Sequence, residues 1–304
     1  MKLCGHTLGT PQFTVPESLR LFHSADMDAA EIIWQNEYAA AIPETASESE
    51  IAQVRHLAQD LGLSIACLTP YMTGINSLDD QERECDLERF GRCIRAAEQL
   101  DCHRIRVYAG SYLEGEETTR DVKWNRLVES LKHLGGIAQQ AGVVLCVENH
   151  FNTMTVTAVE TAALMRAMNL PSVGILYDQA NLTFTHGEPF LAAIDLQRPW
   201  IRHVHVKDLV FTNPAQKFSA SQVATVKPEE RAVYSRVVGE GILDWRAILR
   251  ELDSIGYADY LSFEYEYRWH PQDLPEPLIG FAKSAQVVRD MLAKLDHYPF
   301  SRKA

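Results

Sequence analysis

The sequence lacks several features that would assign it to a common class. It has no run of about 18 apolar residues, so no transmembrane helix is expected. The first residues, MKLCGH, carry too short an apolar run for a signal peptide. Its six cysteines form no CxxC pair and match no structural zinc motif. Free thiols in a reducing compartment are the simplest interpretation, which predicts a cytoplasmic protein.

Positive charge is also scarce. Twenty-nine Lys and Arg residues stand against 41 Asp and Glu residues, and the formal net charge is −12. Phosphate binding requires a basic surface, so this balance argues against a nucleic-acid partner. With no predicted membrane segment either, a small-molecule substrate is the expected partner. The sequence leaves the oligomeric state open, and a homo-oligomer is allowed.

Eight apolar runs alternate with helical segments along the 304 residues, without a linker-like change in composition. This pattern indicates parallel βα units, and eight such units predict an α/β protein of the (β/α)8 TIM-barrel class. One domain is expected to span residues 1–304. The predicted strands begin at Lys2, Ala30, Leu63, Arg104, Val143, Val173, Ile201 and Tyr260. The predicted helices cover 16–22, 47–61, 80–100, 120–141, 157–168, 244–255 and 274–295.

The seventh predicted strand carries the most informative stretch, RHVHVKD at 202–208. Side chains alternate across a strand, so His203, His205 and Lys207 share one face. Two imidazoles and an ammonium are poor core packing unless they have polar partners. A lone histidine in such a strand is commonly a hydrogen-bonded core residue, and strand-end carboxylates such as Asp208 and Glu266 commonly tether a loop or face solvent.

Three other predicted strands end in a carboxylate: Glu148, Asp178 and Glu264. Because reactive residues of barrels lie at the C-terminal ends of strands, these three and His205 are expected to converge. Carboxylates at close range repel each other, and a bound cation relieves that repulsion. Oxygen-rich ligation favours Mn²⁺ or Mg²⁺, with Co²⁺ or Zn²⁺ tolerated because of the imidazole.

The C-terminal half resembles the xylose isomerase-like TIM-barrel superfamily, in the sugar phosphate isomerase/epimerase branch of AP endonuclease family 2-like proteins. That branch includes endonuclease IV, ketose 3-epimerases and inosose dehydratases. The N-terminal half resembles it only in the rhythm of strands and helices. The motifs in the family's order are VENH at 147–150, YDQAN at 177–181, HVHVKD at 203–208, GEGILDW at 239–245 and LSFEYE at 261–266.

Carried over residue by residue, the resemblance implies one divalent metal ion held by Glu148, Asp178, His205 and Glu264. It also implies that Glu148 and Glu264 act as the two catalytic bases. The function expected first is a metal-dependent sugar or keto-sugar isomerase or epimerase, which transfers a proton through a metal-stabilised enediolate. The alternative is a lyase of the same superfamily: a dehydratase, a decarboxylase or an enzyme that cleaves 3-keto-glycosides.

Four residues are predicted to bind substrate: His150, Asn181, Lys207 and Arg268. Asn181 stands where the ketose epimerases have a substrate-contacting histidine, which leaves open whether the substrate is a free ketose. That departure and the acidic net charge disfavour a nuclease, and a non-catalytic sugar-binding subunit is the remaining reading. The long connection at 210–239 is expected to cover the substrate, or else to be a disordered insertion. Five residues near other strand ends are expected to shape the pocket: His6, Trp34, Glu37, Arg106 and Tyr108. Trp269 and His270 follow the last strand and are expected to contact a polar substrate, with packing as the alternative for Trp269.

Overall fold

The computed structural model describes residues 1–213 and 231–295. Eight parallel strands close into a barrel, because the first of them pairs with both the second and the last. The predicted (β/α)8 barrel is therefore confirmed, whereas a single domain over all 304 residues stays a prediction. The barrel strands in order around the ring are β1 (Lys2–His6), β2 (Ala29–Trp34), β4 (Ser64–Pro70), β5 (Arg104–Val107), β6 (Val144–Glu148), β7 (Val173–Asp178), β8 (Ile201–Val206) and β11 (Tyr260–Phe263).

Helices surround the barrel, and capping boxes mark where several of them begin. At Ser47 the side chain accepts the N–H of Glu50 while the Glu50 carboxylate accepts the N–H of Ser47, as the sequence predicted. No helix in the described ranges is long and apolar enough to cross a membrane. The helices are α1 (Val15–Ser24), α2 (Glu48–Asp60), α3 (Asp80–Gln99), α4 (Arg120–Gln140), α5 (Ala158–Met168), α6 (Gln179–His186), α7 (Phe190–Gln197), α8 (Trp245–Ser254) and α9 (Pro277–Leu295).

Several elements differ from the sequence prediction. Helices α6 and α7 fill the connection between β7 and β8, where no helix was expected. The first strand stops at His6, because the His6 ring accepts the N–H of Leu8 and starts a 3-10 turn. A two-residue strand, β3 (Ala41–Ile42), pairs with β2.

The two ends of the connection after β8 are strands that pair with each other in antiparallel fashion, where a loop was expected. These strands, β9 (Asp208–Phe211) and β10 (Val233–Arg236), form the stem of a hairpin. Residues 214–230, which include Lys217 and Lys227, lie outside the described residues. The substrate-covering role expected for 210–239 stays a prediction.

Asp208 fixes both ends of this hairpin. Its Oδ1 accepts the N–H of Leu209 (2.9 Å) and Leu243 (3.2 Å), and its Oδ2 accepts those of Gly239 (2.9 Å) and Gly241 (3.1 Å). A Cβ at Gly241 would lie 2.0 Å from Asp208 Oδ1, and Gly239 has a φ of +88°, so both positions require glycine. The motif HVHVKD thus supplies the acceptor, and the motif GEGILDW three of the donors, of one set of hydrogen bonds. We call this set the tether.

Replacing Asp208 by asparagine is expected to lower the free energy of unfolding by roughly 2 kcal/mol. The amide can accept at one position only, so two buried N–H groups lose their acceptor. The same change at the helix cap Asp244, which accepts the N–H of Ala247, is the matched control, because asparagine caps as well as aspartate. Urea unfolding of both variants checks this, and equal losses for the two would contradict the tether.

Candidate metal centre

Four side chains from consecutive barrel strands meet at the C-terminal ends of those strands. Nδ1 of His205 lies 3.5 Å from Glu148 Oε1, 3.3 Å from Glu264 Oε2 and 3.8 Å from Asp178 Oδ2. One ligand atom from each residue falls within 4.8 Å of the others, and all four residues are buried. We call Glu148, Asp178, His205 and Glu264 the ligand cluster. The structure therefore brings together the residues that the sequence predicted as ligands, while the ligand role itself stays a prediction.

The donor set fits a divalent cation. Glu148 Oε2 and His205 Nδ1 are buried and have no hydrogen-bond partner in the described ranges, and buried polar atoms normally have one. Three carboxylates and one imidazole suit hard and borderline ions. Such an ion would coordinate these atoms and would also neutralise the surplus of negative charge.

Two permanent cations contact the ligand cluster within the described part of the chain. Arg106 Nε lies 3.3 Å from Glu148 Oε2, and Lys207 Nζ lies 2.9 Å from Asp178 Oδ2 and 2.6 Å from Glu264 Oε2. Burial raises the pKa of Glu148, but Arg106 and His205 outweigh burial and hold the pKa at about 2. These cations thus balance only part of the charge of the three carboxylates.

The pKa of His205 reflects the remaining negative charge. Burial lowers the pKa of this ring, but the carboxylates of Glu264 and Glu31 outweigh burial and hold it well above its usual range. A metal ligand must be unprotonated, so a bound cation has to displace a proton from this ring. The local charge is therefore suited to hold either a proton or a metal ion at Nδ1.

A cavity of about 360 Å³ opens above the ligand cluster. Lys207, Glu264 and Glu266 lie side by side in its wall, whereas Glu148 is fully buried beneath. Burial raises the pKa of Glu266 to about 7, in spite of the lowering effect of Lys207. Aromatic rings make up much of the remaining wall: Tyr71, Tyr108, Phe151, Phe184 and Trp269. This wall suits the apolar face of a small ring-shaped or chain-shaped polyol.

The hairpin closes one side of the cavity. Leu209, Val233 and Ser235 line it, and Arg231 binds Asp273 on the segment after β11 at 2.6 Å. The Arg231 and Asp273 side chains are almost fully buried, so this ion pair fixes the hairpin stem against the barrel mouth. Arg231 is therefore a buried ion-pair partner and not a solvated charge.

The residues predicted to bind substrate fall into two groups. Lys207, His150 and Asn181 line the cavity. Asn181 also donates to Glu148 Oε1 at 3.2 Å, which holds that carboxylate in place. Arg268 lies to one side, with its guanidinium carbon 4.0 Å from the Tyr38 ring centre and 4.5 Å from that of Trp269. A direct contact of these four with substrate stays a prediction.

The pocket residues named more loosely are scattered. Tyr108 lines the cavity, and the guanidinium carbon of Arg106 lies 3.8 Å from the centre of the Tyr108 ring. His6 is buried inside the barrel, and Trp34 packs in the main core. Glu37 is exposed in the loop after β2 with a φ of +56°, and it lines neither described cavity.

One buried carboxylate escaped sequence reasoning. Glu31 lies in β2 and is 0% exposed, and its carboxylate contacts His203 and His205. It lies within the apolar run AAEIIW at 29–34, and the sequence analysis gave it no role. The available signal was a charge inside a strand that a parallel barrel buries on both faces.

Comparisons with known proteins agree with this geometry. A family model described as xylose isomerase-like TIM barrel matches residues 19–291. An inosose dehydratase of Geobacillus thermodenitrificans is 30% identical over 170 residues, which are 55% of this chain and 54% of the relative. The match thus spans about half the length of that curated relative.

Solved structures extend the likeness over the whole barrel. A D-tagatose 3-epimerase-like protein superposes with a TM-score of 0.76 at 18% identity, covering 98% of this chain and 99% of the other. The IOLI protein, in a structure with a zinc atom, gives 0.76 at 16% identity, covering 97% and 99%. At these identities the two structures support the fold alone.

Proposed function

The chain belongs to the xylose isomerase-like TIM-barrel family, and from this premise we propose that it is a metal-dependent lyase that removes water from a small polyol ketone. The proposal replaces the first expectation, an isomerase or epimerase, with its alternative. Curated relatives that match about half of the chain are named inosose dehydratase, whereas epimerases enter through similarity of fold. A cyclic polyol ketone such as an inosose is the substrate class that these names favour.

The observation that carries the proposal is that one of the two glutamates, Glu264, lines the cavity, whereas the other, Glu148, does not. An epimerase of the expected kind needs a base on each face of the substrate. Here Glu264 reaches the cavity beside Lys207 and Glu266, while Glu148 is enclosed by Arg106, His205 and Asn181. One carboxylate in the cavity wall with a neighbouring ammonium provides a base and an acid on the same side, which suits elimination.

The proposed chemistry needs a proton acceptor and a proton donor within reach of adjacent carbons. A divalent ion, Mn²⁺ or Mg²⁺ in the first instance, would supply electrostatic stabilisation of negative charge on the ketone oxygen. Glu264 would remove the proton alpha to the carbonyl, and the C–O bond at the beta carbon would break as the C=C bond forms. Lys207 would donate the proton with which the departing hydroxyl leaves as water.

Product analysis in D₂O separates the candidate reactions. Purified protein supplied with Mn²⁺ is incubated with an inosose and, separately, with a panel of free ketohexoses. The expected result is loss of one water from the inosose, seen as a new enone or diketone absorbance and by mass, with no reaction in EDTA. A product that keeps every hydroxyl, carries one solvent deuterium and has inverted configuration would instead establish the epimerase. If the protein bound no divalent ion, both the lyase and the epimerase would be excluded.

A further inference from the structure

We propose that Glu31 is a positioning residue, which fixes the ring of His205 so that Nδ1 faces the metal ion. The inference deepens the proposed function, since it rests on a metal ion in the ligand cluster. It concerns a residue that neither the sequence motifs nor the ligand cluster includes.

Glu31 lies at the centre of a buried polar group inside the barrel. Its Oε2 is 2.8 Å from His203 Nε2, and its Oε1 is 3.2 Å from His205 Nε2 and 3.4 Å from His6 Nε2. The Thr69 hydroxyl donates a short hydrogen bond to Oε1. An ionised carboxylate only accepts hydrogen bonds, so ring nitrogens facing it at this distance are best satisfied when they carry the proton.

The protonation of the rings follows from their other contacts. Nδ1 of His6 accepts the backbone N–H of Leu8 at 3.0 Å, so the neutral ring carries its proton on Nε2, which faces Glu31. For His205 the same rule keeps one proton on Nε2, so a metal ion that displaces the other proton binds the lone pair of Nδ1. That lone pair points at the ligand cluster, whose closest oxygen is Glu264 Oε2 at 3.3 Å. A carboxylate behind a ligating imidazole fixes its tautomer and orientation.

The same reasoning argues against a second metal ion around Glu31. His6, Glu31 and His205 are close enough to hold a cation, but the ring nitrogens that face Glu31 are the protonated ones. A cation there would have to displace these protons and would cost His205 its orienting partner. One ion per chain is the expected stoichiometry.

Two irregularities in the sheet coincide with this group. The register between β2 and β4 shifts between Ala30 and Glu31, and that between β7 and β8 shifts between Ile175 and Leu176, opposite His203. Bulges re-aim side chains and recur beside functional sites. Here the two bulges lie next to Glu31 and opposite His203, both of which are buried inside the barrel.

Metal titration of Glu31→Gln tests the inference without any substrate. Calorimetric titration of chelator-treated protein with Co²⁺ is expected to show one site in the wild type and about 10- to 100-fold weaker binding in the variant. Asp86→Asn is the matched control, because Asp86 is also a buried carboxylate but binds Gly74 and Arg89 away from the ligand cluster. The control should lose stability and keep its affinity for Co²⁺.

A second measurement needs no substitution. In Zn²⁺-loaded protein with ¹⁵N-labelled histidine, long-range ¹H–¹⁵N correlation should show His205 protonated at Nε2 and ligating through Nδ1. Ligation through Nε2, or equal Co²⁺ affinity of Glu31→Gln and the wild type, would overturn the positioning role. A wild type that binds metal and shows this tautomer, yet dehydrates nothing, would refute the proposed reaction and leave the role of Glu31 supported.

Discussion

Replacing Glu264 by glutamine is expected to lower kcat for dehydration by about 10²- to 10⁴-fold at saturating metal. The amide cannot accept the proton alpha to the ketone, and Glu264 is the ligand-cluster carboxylate that lines the cavity. Burial raises its pKa, but Lys207 and His205 outweigh burial and hold it well below the usual range, so the group is ionised at neutral pH. Steady-state rates at several Mn²⁺ concentrations measure the effect.

Glu148→Gln separates the base role from the ligand role. Because Glu148 is fully buried below the cavity, we expect its loss to weaken metal binding by more than about 100-fold, with kcat largely recovered in excess metal. Glu276→Gln, a change of the same type on a residue bound to the Tyr267 hydroxyl outside the cavity, should leave both quantities unchanged. If Glu148→Gln and Glu264→Gln stayed equally slow at saturating metal, a two-base proton shuttle would be favoured over the lyase.

Lys207→Met is expected to destabilise the metal-free protein by about 3–5 kcal/mol. The ammonium contacts the buried carboxylates of Asp178 and Glu264 and the partly exposed carboxylate of Glu266, and its removal leaves all three without this cation. A divalent ion in the ligand cluster would supply the lost positive charge. The loss should therefore be much smaller in metal-saturated protein, which urea unfolding with EDTA and with Mn²⁺ can compare.

Lys123→Met provides the control for this prediction. Lys123 is equally buried, at 9% side-chain exposure against 10% for Lys207, and pairs with Glu116, which is 31% exposed. Its loss should cost on the order of 1 kcal/mol and should not depend on metal. An equal cost for both lysines in EDTA would show that Lys207 does not compensate the ligand cluster.

The fold and the ligand cluster could be read from the sequence because both follow simple rules. Parallel strands place their carboxyl ends at one rim, so Glu148, Asp178 and Glu264 had to lie together once the barrel was assumed. Side-chain alternation likewise put His203 and His205 on one face. Neither rule needs the loops or the helices to be placed correctly.

Other features depended on contacts between distant residues. Glu31 interacts with His203 and His205 across about 170 positions of sequence, and no local pattern indicates that its side chain points inward. The hairpin stem depends on Asp208, whose acceptor role appears only when 239–243 folds back on it. Helix α6 begins where the Asp178 side chain accepts the N–H of Asn181, so a residue predicted as a metal ligand also caps a helix.

The type of reaction was the feature least predictable from the sequence. The proposed choice of a lyase over an epimerase rests on which carboxylate lines the cavity, and that depends on how Asn181 and Arg106 enclose Glu148. Both glutamates end buried strands and look equivalent in the sequence.

The tether at Asp208 also bears on how this scaffold can be altered. Because one carboxylate accepts backbone N–H groups at Leu209 and again at 239–243, both ends of the connection are held at one point of the barrel rim. A replacement of different length or composition that keeps these two anchors and the Arg231–Asp273 ion pair is expected to leave the strand that carries His205 in register. Loop exchange between these two anchors is therefore expected to change the cavity wall at Val233 and Ser235 while the barrel stays unchanged.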